Sequence, residues 1–327
     1  MDSMRFSKRE RPTAETCAAS ALSRRRFLAV GAAAVTGLVL QSVGVQAQAL
    51  PVTALAFDRD DLVVARGSEV RRLSGTGKWN PLPAPETTSV FGLATNASRP
   101  GLIAAGLASG TVAVSIDGGR SWEDRSSGLP GGRVAALTVA ATKPETFYAS
   151  VLGDGLWRSE DEGRTWSLAM DRPWLNEREQ DVLALTSVDL ASGMGGIWVY
   201  AGTPVGLTRV PDCFCRWQDV QPGDAMDALA SGSIPRSPAP LPEGEAVQAL
   251  VSAPSEPETL YAALPSGVWK SVDAGVVWSR LVAGRSSAIA VHPTSPAHVV
   301  AEIDGILQGT ADGGARWSTL PSNGALQ

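Results

Sequence analysis

Four octapeptides in this 327-residue chain share one grammar: SIDGGRSW at 115–122, SEDEGRTW at 159–166, SVDAGVVW at 271–278 and TADGGARW at 310–317. Each has Ser or Thr first, Asp third, Gly fifth and Trp eighth. A catalytic residue is needed once per site. A phrase that returns along the chain is structural punctuation, and it requires a fold built from repeated units. Two decayed copies, RLSGTGKW ending at Trp79 and VPDCFCRW ending at Trp217, bring the number to six. The Trp-to-Trp spacings are 43, 44, 51, 61 and 39 residues.

The repeat is larger than its phrase. Each unit opens on an apolar run, such as VTALAFD from Val52, VFGLAT from Val90 or AVQALVSA from Ala246. A turn follows, with proline in TKPET, SEPET and TSPAH, and then a short strand such as TFYAS, TLYAA or HVVAE. A glycine opens the next strand, as in GLWRS and GVWKS. The phrase ends that strand, and its Trp begins a fourth. Short apolar runs separated by turn residues are strand signals. Four short strands in every 40–45 residues or so, repeated, are the signature of a β-propeller blade. The expected fold is therefore all-β, a propeller of six four-stranded blades. A seventh is held open only in the 61-residue gap, whose extra residues 221–245 are short and proline-rich.

At these residues the chain resembles the Asp-box, or sialidase-type, repeat propellers, whose pattern is [ST]-x-D-x-G-x-x-W on the turn between third and fourth strands. The resemblance covers residues 50–327. A looser one, resting on cadence, is to exported propellers similar to photosystem II assembly factors. In this reading Asp117, Asp161, Asp273 and Asp312 accept hydrogen bonds from their own turns. Gly119, Gly163, Gly275 and Gly314 supply a left-handed backbone, and Trp122, Trp166, Trp278 and Trp317 cover the hairpins. A calcium loop needs several oxygens at alternate positions, and SIDGG offers one. Sialidases also carry such repeats, but as a family they need an arginine triad, a Tyr nucleophile with a Glu partner and an acid/base Asp. The nearest arginine string here, Ser233-Ile234-Pro235-Arg236, runs in the wrong order. The three tyrosines, Tyr148, Tyr200 and Tyr261, share one repeat position, which packing predicts and catalysis does not. No catalytic residue of that family carries over, and the expected protein is not an enzyme.

Before the first repeat, SRRRFL at 23–28 resembles a twin-arginine export signal. A mildly apolar stretch follows, ending in Ala47-Gln48-Ala49. The resemblance implies passage of the folded protein through the twin-arginine translocase, cleavage after residue 49, and a periplasmic or extracellular location. A retained membrane anchor is the competing reading. Residues 50–327 then carry 21 basic and 30 acidic side chains with no basic run, which argues against nucleic acid and anionic membrane surfaces as partners. GTGK near Trp79 fails the phosphate-loop spacing, and the two histidines, His292 and His298, are too few for a zinc site. No cofactor is expected.

Function is then sought where the repeat breaks. The decayed fourth copy places Cys213 and Cys215 in its turn. In an oxidising compartment the pair can bridge, through a tight and therefore reducible ring. The functional reading is a redox or metal site, and the alternative is a local staple replacing the lost glycine turn, or two idle thiols. Two links between blades are enlarged. MDRPWLNEREQ, residues 170–180, offers Trp174 among Arg172, Glu177 and Arg178, an aromatic ringed by charge of the kind that anchors interfaces. Residues 221–245 hold a proline cluster that suggests an extended arm. Strand direction places both links on one face, away from the phrases. The expected role is an exported protein-binding or assembly scaffold. The alternative is a carbohydrate-active or glycan-binding propeller. Whether Trp174 reaches outward or folds back as a lid over its blade is the question the sequence leaves open.

Overall fold

The computed structural model describes residues 50–192, 196–221, 237 and 239–321. Residues 1–49, read above as an expected export signal, and most of the proline-rich link lie outside them. No described residue is helical. Six antiparallel sheets of four strands follow one another in chain order, at 52–82, 90–124, 134–171, 184–219, 249–283 and 286–319. Their first strands are Val52–Asp58, Val90–Thr95, Val134–Val139, Ala184–Ala191, Ala249–Ala253 and Ser286–His292. Each touches the next, and the last touches the first. The chain is a six-bladed β-propeller. No seventh sheet occurs among the described residues of the long gap.

The reason the inner strands read as unbroken apolar runs is that they are covered on both sides. The second strands Ile103–Leu107, Phe147–Val151 and Ile197–Thr203 are buried at every position. Successive side chains point to opposite faces of a sheet, so each enters a different interface. Phe147 and Ala149 pack between blades 2 and 3, while Tyr148 packs between blades 3 and 4. Six apolar clusters result, one for each interface between neighbouring blades. The core is thus a ring of seams. Around the channel, polar side chains lace one first strand to the next, relieving the exposed-edge problem. The Thr95 hydroxyl donates to the Phe57 carbonyl (2.8 Å), the Ala141 amide to the Ser187 hydroxyl (2.9 Å), and the Ser252 amide to the Thr186 hydroxyl (3.1 Å).

The repeated phrase builds one turn four times. In the first full copy the Ser115 hydroxyl donates to Asp117 Oδ1 (2.8 Å) and accepts the Gly119 amide (2.7 Å). Asp117 Oδ1 accepts the amides of Arg120 and Ser121, both at 2.9 Å. Ser159/Asp161, Ser271/Asp273 and Thr310/Asp312 repeat the lock, at 2.8, 2.7 and 2.8 Å. Gly119, Gly163, Gly275 and Gly314 all have positive φ. At φ 85° the Gly119 position favours glycine for its conformation. A Cβ there would also stand 2.8 Å from a methyl of Leu82 in the preceding blade, which would have to move aside.

The Trp does more than cover its hairpin. The Trp122 indole donates to the Pro83 carbonyl of blade 1 (2.9 Å), Trp166 to Arg125 of blade 2 (2.8 Å), and Trp217 to Asp171 of blade 3 (2.8 Å). Trp79 donates to Pro321 at the end of blade 6 (2.9 Å), closing the ring. Each is therefore a staple to the previous blade. The pattern fails twice: Trp278 turns to its own Gly275 carbonyl (2.7 Å), and the buried Trp317 N–H finds no protein acceptor. Only Trp79 lies within its fourth strand, the other five standing one residue before it.

Candidate functional site

Hydrogen bonds define two faces. On one, the turns after first strands meet the phrases: Arg72 binds Asp58 (2.9 Å) and Asp61 (2.8 Å) of blade 1 and donates to the Gly118 carbonyl of blade 2 (2.8 Å). On the other, links between blades meet the turns after second strands. The Gly153 amide donates to Asp181 (2.8 Å), the Ser266 amide to Glu245 (3.1 Å), and the Arg285 amide to Asp304 (2.8 Å). The first enlarged link, through Asp181, therefore lies on the link face. Of the second, Ser237 and Ala239 meet Val276 and Trp278 of the phrase in blade 5.

The first of them is a small structure of its own. Trp174–Leu175 pairs with Arg178–Glu179 in a two-stranded hairpin. Asn176 and Glu177 between them have φ of 51° and 60°, the left-handed pair that a two-residue turn of this twist demands. The Gln180 amide donates to the Pro173 carbonyl (2.9 Å) and its side chain to the Leu175 carbonyl (3.2 Å). Arg172 pairs with Glu179 across the hairpin and with Asp181 (3.4 Å), which itself holds the Gly153 turn. Trp174 is 66 % exposed, so its ring does not fold back over the blade. Leu152, next to the tethered Gly153, is also exposed on this face. Arg172 is committed within the chain. Glu177 and Arg178 are exposed at the tip.

Most of the proline-rich arm expected at 221–245, residues 222–236 and 238, lies outside the described residues. Its described end packs down: Leu241 is buried in the seam between blades 4 and 5, and the Ala239 carbonyl accepts the Trp278 amide (2.8 Å). The arginine string at 233–236 lies outside the described residues.

The channel between the first strands encloses about 300 Å³, and its lining includes Thr53, Phe91, Gln248, Thr138, Thr186 and Ser252. The tyrosines are core residues. Burial pushes the hydroxyls of Tyr148 and Tyr261 up to about 12, and those of Tyr200 and Tyr261 donate to the Ala274 and Pro296 carbonyls of the next blade (2.8 and 2.7 Å). On the phrase face, His292 meets Asp60 across the closing seam (3.1 Å) and stacks on His298 at 5.2 Å. Among the described residues no group of three or more His, Cys, Asp or Glu side chains is placed to hold a metal ion. Cys213 and Cys215 are exposed, with their Sγ atoms 3.2 Å apart.

No protein-family model matches the chain, and no curated protein matches it in sequence. Similar solved structures are β-propellers. A GH74 enzyme from Niastella koreensis has a TM-score of 0.56 at 18 % identity, over 83 % of this chain and 45 % of that one. The GH74 xyloglucanase from Xanthomonas campestris gives 0.52 at 16 %, over 81 % and 45 %. YCF48 bound to D1 peptide gives 0.49 at 13 %, over 84 % and 83 %. This chain spans about half the length of the two GH74 enzymes. At such identities the likeness is one of fold.

Proposed function

We propose that this protein is an exported, non-catalytic propeller of the Asp-box type that binds a protein partner through its link face, with Trp174 as the anchor. The observation that carries the reading is the exposed indole at a hairpin with its own turn, ladder and ion pairs. A large aromatic held in one place loses little entropy on binding, and such residues dominate interface energetics. Arg178, exposed beside it, steers the encounter. The hydroxyl–Asp–Gly–Trp lock supports the Asp-box assignment, and its side chains are occupied by their own turns. The tyrosines are occupied by the seams. Export rests on the SRRRFL leader.

Two experiments test the proposal. Arg24→Lys with Arg25→Lys is expected to leave the protein in the cytoplasm, and continued export would overturn that part. Trp174→Ala is expected to keep the melting temperature within about a degree. It should also weaken capture of partners from the exported fraction by ~2 kcal/mol or more. Normal capture with lowered stability would end the anchor reading. Binding of the wild type to a glycan array, lost in Trp174→Ala, would instead make the indole a sugar platform.

A further inference from the structure

The turn of blade 4 has been rebuilt around sulfur. In the other blades with a full phrase, a hydroxyl at the first position accepts the glycine amide, and two successive residues are left-handed. Blade 4 has Val210 in place of the hydroxyl and Phe214 in place of the glycine. Its turn closes through the backbone instead, with the Phe214 amide donating to the Pro211 carbonyl at 2.8 Å. Phe214 alone carries the left-handed conformation, with φ 53°. Its ring is an anchor: it packs edge-on against Tyr148 at 5.5 Å, in the seam between blades 3 and 4. With the middle residue pinned inward, the two cysteines that flank it emerge together. Both are exposed, and their sulfurs are in contact at 3.2 Å.

We propose that Cys213 and Cys215 form a thiol–disulfide exchange site on the phrase face, reacting with small or protein disulfides. The sulfurs need approach by only ~1 Å to reach bonding distance. Phe214 already holds the intervening backbone, so closure does not disturb the seam. In the oxidising direction one cysteine thiolate attacks a sulfur of the incoming disulfide, forms a mixed disulfide and expels one thiolate. The second cysteine then attacks the first cysteine's sulfur, forms the internal disulfide and expels the other thiolate. The two cysteine protons end on the two released thiols, and the incoming disulfide is the species reduced. The hydrogen bond with Cys213, together with desolvation, pushes the Cys215 thiol up, so in the reduced pair Cys215 keeps its proton at neutral pH. The site lies opposite the link face, so it is independent of the proposed partner contact.

The test uses glutathione disulfide on the full chain carrying Cys17→Ser, which leaves the pair as its sole thiols. Intact mass spectrometry should show a product lighter by two hydrogens, with two glutathiones released. Adding Cys213→Ser or Cys215→Ser should instead trap one stable glutathionyl adduct, with the melting curve unchanged. The folded chain should react faster than the same chain unfolded in urea, because the fold brings the sulfurs together. Stable adducts on the intact pair, no reaction, or equal rates for folded and unfolded chains would each overturn the proposal.

Discussion

Asp161 accepts the Thr165 amide at 2.8 Å and the Thr165 hydroxyl at 2.7 Å, besides the Ser159 hydroxyl. Burial works against its charge, but these bonds outweigh it and hold the carboxyl below its usual range. Asp161→Ala leaves those donors without their acceptor. It is expected to cost about 1–2 kcal/mol, read as a lower melting temperature with partner capture unchanged. A loss of capture at an unchanged melting temperature would show that the phrase is more than scaffold. His298 gives a second expectation. Burial, and then the neighbouring His292, hold its pKa below the ordinary imidazole value, against a smaller opposing pull from Asp60. As pH falls through about 6.5 the unfolded chain takes up this proton before the folded one does, so stability must fall with it. His298→Phe, which keeps a ring against Phe57, should flatten the melting temperature between pH 7 and 5.5. An unaltered pH dependence would remove His298 from the account. These carboxylates and hydroxyls were legible in the sequence because repetition marks them. The lock is local, running only from Ser159 to Thr165, and needs no knowledge of the fold.

At the scale of elements, legibility followed whether a signal was local. The strands were readable from their apolar runs, but the turns expected at SEPET and TSPAH fall earlier, at Pro254-Ser255 and Pro293-Thr294. The strands beside those turns run longer than expected, Glu256–Leu264 and Ser295–Ile303, because Pro257 and Pro296 stay within them. The hairpin in the first enlarged link was not readable. Its turn is Asn176-Glu177, without glycine, and its strands are two residues each. Leu241 was equally silent, since nothing local says which seam will receive it. The hairpin carries its own prediction. Arg172→Ala removes the pairs to Glu179 and Asp181, which are part-exposed and worth ~0–1 kcal/mol to global stability. The melting temperature should barely move, while the Gln180 amide, bonded to Pro173, should exchange hydrogen faster. If its protection were unchanged, the ion pairs would not be what holds Trp174 in place.

For the whole molecule, the blade count followed from the spacing of six tryptophans, but their role as staples did not, because it depends on which blade lies beside which. That role is clearest where the ring closes. Blades 1 and 6 are far apart in sequence, and their seam is sealed by the cluster around Phe57, Leu73 and Leu307 and by the Trp79 indole on the Pro321 carbonyl. Trp317 provides an internal control. Its indole stands at the same place in its repeat and packs against its own seam, yet its N–H meets no protein acceptor. Replacing either tryptophan by phenylalanine removes similar ring area, so the packing losses roughly cancel. What differs is the hydrogen bond, worth about 1 kcal/mol when made, while an unmet buried donor is itself a cost. Trp79→Phe is therefore expected to be about 1–2 kcal/mol more destabilising than Trp317→Phe, a gap of roughly 2–6 °C in melting temperature. It should also speed hydrogen exchange at the Leu320 amide, which is bonded to Leu307 on the outer strands of blade 6. Equal losses in the two variants would mean that apolar packing alone closes the ring, and that the repeated Trp is kept for its area and not for its N–H.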